Sequence, residues 1–286
     1  MHSDGARSLP DYIKTPTAIT IGKFDCLHKG HQQLTSEIIS KKASGLNSCL
    51  ITFKNSPKYF LFKDMTPLLF INEEKKYILE KFGIDYLILC EFNKKFMELD
   101  SIKFIEILCK NLNMKYLAVG EDFTFGYKGS GNVDLLKKIS KTYGFELKVF
   151  KKIKQDDKDI TSTYIRGELL KGNIKLVNEM LGYEYFIFGE VICKKNVKNK
   201  IESQPIYIIP VKNKLIPKFG TYCTKIFFEG KEFSGISKIG KNLMIDGDCK
   251  TSEDTIQIET YINECNNLDL DGKKIKLSFN QIHEEA

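Results

Sequence analysis

No apolar run in this chain approaches the length of a membrane span, and the opening residues Met1 to Pro10 lack the apolar stretch of a signal peptide. A cytoplasmic protein with no membrane partner is the expectation. Eight cysteines (Cys26, Cys49, Cys90, Cys109, Cys193, Cys223, Cys249 and Cys265) are scattered without one CxxC pair. That spacing suits neither a zinc site nor a disulfide framework, and a reduced compartment fits it. Several of these thiols stand in apolar runs, where a free thiol behaves as a small hydrophobe. Internal repeats and low-complexity tracts are missing too. Histidine occurs only four times, so two histidines close together call for a reason.

What is present is ordinary in bulk. The 286 residues suit two domains, and 42% apolar with 28% charged residues is a globular composition. The formal charge of +7 fits anionic small ligands as well as nucleic acid. No nucleic-acid motif accompanies it, and small-molecule partners are expected.

Two of the histidines lie in Gly22-Lys23-Phe24-Asp25-Cys26-Leu27-His28-Lys29-Gly30-His31. The apolar run Thr17 to Ile21 before it reads as a buried strand, and Leu34, Ile38 and Ile39 after it have helical spacing. The carboxyl end of a strand in an open α/β sheet faces a crevice where ligands collect. A helix starting near Gly30 turns unpaired N–H groups and its positive dipole end into that crevice, which favours phosphate. Gly22 and Gly30 allow close approach to the backbone. His28 and His31, spaced i, i+3, can serve one anion from one side. A solvated surface pair and a metal site are the competing readings of the same residues. No cysteine or carboxylate cluster with zinc spacing supports the metal.

The string resembles the HxGH signature of nucleotidyltransferases, in the longer form GNFDGVHLGH of the bacterial FAD synthetases, the two-domain riboflavin kinase/FMN adenylyltransferases. Later segments extend the likeness. Gly120-Glu121-Asp122-Phe123-Thr124-Phe125-Gly126 is similar to the family's VGxDFxFG, with Gly129 where an arginine is expected. Thr52-Phe53-Lys54-Asn55-Ser56-Pro57 is similar to TFxPHP, with Ser56 in the histidine's place. Ser162-Thr163-Tyr164-Ile165-Arg166 is similar to SSTxIR. The resemblance implies AMP transfer from ATP, accompanied by Mg2+, to FMN, giving FAD and pyrophosphate. It implies catalysis by His28, His31 and Arg166, and ATP binding by Gly22, Lys23, Phe24, Asp25, His28, Gly30, His31, Ser162, Thr163 and Arg166. Phe53, Asp122, Phe123 and Phe125 would bound the flavin. From the residues alone, hydroxyls at a helix start are natural caps and the phenylalanines ordinary core anchors.

Strands alternating with helices up to residue 184 predict a Rossmann-like, parallel, doubly wound sheet. Within it, Asn72 to Phe82 reads as a helix capped by Asn72, and Ser101 to Leu112 as one with Ile102, Ile105 and Leu108 inward. Short alternating segments from Phe186 onward (186–192, 207–211, 222–228, 255–262 and 274–279) predict a small antiparallel barrel over 185–286. That barrel resembles riboflavin kinase in Pro217 to Tyr222 and Phe233 to Gly240, with Glu259 where the catalytic base is expected. Pro205 and Tyr207 stand where the family has the Thr and Asn that bind magnesium and nucleotide, and Lys194 and Lys198 replace loop glycines. Proline offers neither hydroxyl nor N–H. Loss of the kinase activity is therefore expected. A bifunctional enzyme, a transferase with another acceptor, and an inactive flavin-nucleotide binder are the alternatives; the oligomeric state has no signature here.

Overall fold

A computed structural model describes residues 12–54, 66–192, 205–241, 243, 255–263 and 270–283. Asn55, Ser56, Pro57, Lys194, Lys198 and residues 199–204 lie outside the described residues. Contacts divide the chain into two units, Met1–Thr66 with Lys75–Ile160, and Pro67–Glu74 with Thr161–Ala286.

The first unit opens on β1 (Thr17–Ile21), whose five residues are all buried. Then come α1 (Lys29–Ser40), β2 (Asn47–Phe53), α2 (Asn72–Phe82, which begins among residues of the second unit), β3 (Tyr86–Cys90), the short α3 (Lys94–Met97) and α4 (Ser101–Asn111). β4 (Met114–Gly120) leads into the hairpin β5 (Thr124–Phe125) and β6 (Gly131–Asn132), followed by α5 (Val133–Tyr143), β7 (Glu146–Phe150) and the hairpin β8 (Lys154–Gln155) and β9 (Lys158–Asp159). Strands are ordered β3-β2-β1-β4-β7, all parallel. The chain runs outward from β1 to β2 and β3 on one side and resumes at β4 on the other. The switch point of this sheet therefore lies between β1 and β4, where a crevice opens at their carboxyl ends. Ile19, Ile21, Cys49, Ile51, Ile105, Leu108, Leu117 and Val119 fill one core cluster. α4 is capped by Asp100, whose carboxylate accepts from Ile102 and Lys103 N–H groups.

In the second unit, α6 (Ser162–Lys171) and α7 (Ile174–Leu181) precede β10 (Tyr185–Ile192), β11 (Ile206–Pro210), β12 (Gly220–Phe228), β13 (Lys231–Lys241), β14 (Ile256–Ile262) and β15 (Lys274–Ile282). The six strands close into an antiparallel barrel in the order β10-β11-β14-β13-β12-β15. Full closure leaves no open edge. Ile226, Ile239, Ile258 and Leu277 are buried, as is a chain of hydroxyls in which Thr224 and Ser237 lie 2.7 Å apart and Ser237 and Thr260 2.8 Å apart.

The α/β unit and the barrel both match expectation, with local differences; the short helix α3 and the hairpins β5–β6 and β8–β9 are additions to it. β13 was not anticipated as a strand. Asn72 is the first helical residue rather than the cap; Glu74 supplies the terminal contact, accepting from the Ile71 N–H at 3.0 Å. On α4 Phe104, not Ile102, joins Ile105 and Leu108 in the buried face. Among the described residues no helix is long and apolar enough to cross a membrane. Cys26, Cys49, Cys90, Cys109 and Cys223 are thiols rather than disulfide halves. Burial pushes the Cys109 thiol up to about 11 and Cys49 further, so both stay protonated.

Candidate active site

The turn between β1 and α1 is held by its own backbone. Gly22 N–H donates to Ile51 O at 3.1 Å, and Thr52 Oγ1 donates to Lys23 O at 2.8 Å, so β2 fixes the start of the loop. Phe24 then takes a φ of +39°, a left-handed conformation that is strained for a bulky side chain. Its ring is buried and meets the His31 ring at 4.9 Å. A Cβ on Gly22 would lie 3.1 Å from that ring, so the glycine makes room for Phe24. Lys23 is exposed and Asp25 half-buried.

His28 is the N-cap of α1, with extended backbone at φ −66° and ψ 168°. Its Nδ1 accepts from the His31 N–H at 3.3 Å. Imidazole here does what Ser or Asp usually does at a helix start. The His31 ring turns back, its Nδ1 lying 2.8 Å from Cys26 O. The two rings stack at 3.8 Å with planes 20° apart. A Cβ on Gly30 would lie 3.1 Å from His28 Cε1. Glycine between the histidines is thus what lets the first ring fold over the helix start.

Both imidazoles are held neutral. Desolvation, aided by the neighbouring His31, lowers His28 to about 2. Desolvation also lowers His31 to about 4, opposed by the Cys26 carbonyl and by Asp25 and Asp122. In the unfolded chain both would titrate near 6.5. Between that value and about 4 the unfolded state binds more protons, so the stability due to the neutral pair is full above pH 6.5 and falls as pH drops. About 2 kcal/mol per imidazole should be lost by pH 5 relative to pH 7.5. Melting curves at both pH values check this: wild type should lose more stability than His31→Asn, and equal losses would refute it.

At the carboxyl end of β4, Asp122 is exposed and its carboxylate pairs with Lys152 Nζ at 3.0 Å, which sequence reasoning missed. Lys152 lies 3.8 Å from Asp159 as well, and its N–H donates to Glu121 at 3.1 Å. Phe123 is half-buried and stacks on Phe125 at 5.4 Å. Phe125 is buried and reaches Phe104 at 5.8 Å. Half-buried Phe53 meets Phe92 at 5.6 Å and Phe96 at 5.5 Å, edge to face. These rings form an aromatic bank beside the sheet's core.

The structure brings together His28, His31, Phe24 and Gly30, and it sets Phe123 against Phe125. Ser162, Thr163 and Arg166 belong to the second unit. There Thr161 caps α6, accepting from Tyr164 N–H at 3.1 Å, while Ser162 and Thr163 occupy the first turn. Arg166 donates to the carbonyl of Pro67. In the barrel Pro205 is half-buried, and Tyr207 faces Glu259 across β11 and β14 with its hydroxyl donating to Glu259 Oε1 at 3.1 Å. Among the described residues no group of three or more His, Cys, Asp or Glu side chains could hold a metal ion.

Comparison with known proteins places both units. A family model described as FAD synthetase matches residues 11–164, and one described as riboflavin kinase matches residues 181–286. A bifunctional riboflavin kinase/FMN adenylyltransferase of Buchnera aphidicola subsp. Acyrthosiphon pisum is 32% identical over 270 residues, covering 93% of this chain and 84% of that protein. One from Haemophilus influenzae is 34% identical over 235 residues, covering 80% of this chain and 76% of that protein. Among solved structures, a macrolide-efflux protein from Streptococcus pneumoniae shares the fold, with a TM-score of 0.77 at 21% identity over 96% of this chain and 88% of its own.

Proposed function

This chain belongs to the bifunctional riboflavin kinase/FMN adenylyltransferase family and is a nucleotidyltransferase, and we propose that it transfers AMP from ATP to the phosphate of FMN, releasing pyrophosphate. The observation that carries this is the stacked His28–His31 pair at the start of α1, beside the switch point of the sheet. An FMN phosphate oxygen attacks the α-phosphorus, and the bond to the bridging oxygen of the β-phosphate breaks. Such a transfer depends on positioning and charge neutralisation more than on a covalent nucleophile. His28 and His31 donate to oxygens that gain charge, and the α1 N-terminus adds its dipole. Ser162, Thr163 and Arg166 hold the triphosphate. Phe53 and Phe123 offer faces to the isoalloxazine, with Phe125 behind. Mg2+ would enter with ATP and offset the negative charge of its phosphate oxygens. The functional domains are taken as residues 1–184 and 185–286.

For the barrel, we read the riboflavin kinase activity as lost. In support, the buried Tyr207 fills a position where the family resemblance calls for Asn, and its hydroxyl occupies the Glu259 carboxylate. A second reading, that the barrel still phosphorylates riboflavin, is favoured by the riboflavin kinase match over residues 181–286. One experiment separates them. Purified protein with MgATP should turn FMN into FAD; no FAD, where a control synthetase works, would refute the adenylyl transfer. Riboflavin in place of FMN should yield neither FMN nor ADP, and their appearance would establish the second reading.

A further inference from the structure

Hydrogen bonds around the two imidazoles assign their protons. A carbonyl oxygen can only accept, so the 2.8 Å contact of His31 Nδ1 with Cys26 O requires a hydrogen on that nitrogen. A backbone N–H can only donate, so the 3.3 Å contact from His31 N to His28 Nδ1 requires a bare Nδ1 on His28. In the neutral state His28 therefore carries its hydrogen on Nε2, whereas His31 keeps a lone pair there. Two stacked rings that look equivalent in sequence differ in what they offer a ligand: one is a donor and the other an acceptor.

A phosphate oxygen needs donors. His28 Nε2–H meets that need as it stands, but His31 Nε2 can donate only after gaining a second proton, because its Nδ1–H is committed to Cys26. We propose that binding of a nucleoside triphosphate charges His31, so that the complex takes up one proton at His31 Nε2 while His28 stays neutral. The inference rests on the reading that this site takes ATP.

The groups facing His31 decide whether one proton can be held. Asp25 and Asp122 favour the imidazolium, Lys75 opposes it, and burial keeps the free ring neutral down to about 4. The positive end of α1 opposes it too. A triphosphate supplies several negative charges at once beside the ring, and these act with Asp25 and Asp122 against the desolvation, Lys75 and the helix end together. The same stacking that lets His31 depress His28 makes a second proton unfavourable. Since the complex binds more protons than the free protein, nucleotide affinity falls as pH rises through the bound value. About three- to tenfold per pH unit is expected between pH 7 and 8.

Calorimetric titration of the full chain with MgATP, without FMN, in two buffers of different ionisation heat at pH 7.5 reads the uptake. About half a proton or more per nucleotide is expected, absent in His31→Asn and retained in His28→Asn. Because either substitution could disturb the loop, 15N-histidine spectra of the wild type give an independent reading. Free His31 should be the Nδ1–H tautomer and free His28 the Nε2–H tautomer, and MgATP should convert only His31 to the doubly protonated form. Binding without proton uptake, uptake unchanged in His31→Asn, or an Nε2–H tautomer for free His31 would overturn the proposal. No MgATP binding at all would instead overturn the ATP reading on which it rests.

Discussion

His28→Asn should lower the rate of FAD formation by about 100-fold or more, the scale of losing one preorganised transition-state donor, while leaving the fold intact. Asparagine is chosen because His28 has two jobs. Its Nδ1 caps α1 by accepting from the His31 N–H, and Asn is among the best residues for that position. What Asn cannot reproduce is the Nε2–H of a ring stacked 3.8 Å from His31. His28→Ala would lose the cap as well, adding about 1 kcal/mol of destabilisation that mixes stability with catalysis. Steady-state kinetics beside a melting curve separates the two effects. The expected result is a fall in kcat with KM for ATP changed far less, because the interaction is made mainly in the transition state. An unchanged kcat would remove His28 from the chemistry and leave it only a cap.

The cap also shows where sequence reading stops. The strand Thr17 to Ile21 and the helix after Gly30 were legible because their apolar residues recur with the periods of buried strand and amphipathic helix. The barrel was legible from short alternating segments. β13 escaped because Lys231 to Lys241 alternates with small residues, and what it buries includes Gly235 and Ser237 rather than a row of aliphatics. Ser237 is inside because Thr224 and Thr260 flank it with hydroxyls, a pairing that exists only once the barrel closes. At the site, the string from Gly22 to His31 indicated the chemistry, but neither the capping role of His28 nor the opposite proton positions of the two rings follows from spacing. Both depend on the backbone angles of residue 28 and on which carbonyl lies under His31. The Lys152–Asp122 pair was hidden for a simpler reason: the partners follow different strands, and nothing local marks either one.

Removing Lys214 should produce the largest loss of stability in the second unit, about 3–5 kcal/mol for Lys214→Met, the range for breaking a buried ion pair from one side. Both side chains of the Lys214–Glu74 pair are fully buried, with Nζ and Oε2 2.8 Å apart. The carboxylate is otherwise well satisfied, accepting the Ile71 N–H at 3.0 Å and the Phe188 N–H at 2.8 Å. The ammonium donates to Leu69 O and sits 4.1 Å from the centre of the Phe70 ring and 4.4 Å from that of Tyr185. Methionine can fill the stem's volume but leaves Glu74 as an uncompensated charge. Adding Glu74→Gln should restore part of the loss, because the amide oxygen can still accept one of the two N–H groups and no charge remains. Denaturant unfolding followed by hydrogen exchange at the Phe188 amide checks this; a change below about 1 kcal/mol would mean that water screens the pair. The pair anchors the segment Pro67 to Glu74 to the barrel, together with the bridge between Leu68 and Lys214. Pro67 O is the acceptor that holds Arg166. If Arg166 is a triphosphate ligand, Lys214→Met should raise KM for ATP under conditions where the protein remains folded, whereas His28→Asn acts on kcat. An effect of Lys214→Met on stability alone would show that Lys214 does not position Arg166 for the nucleotide.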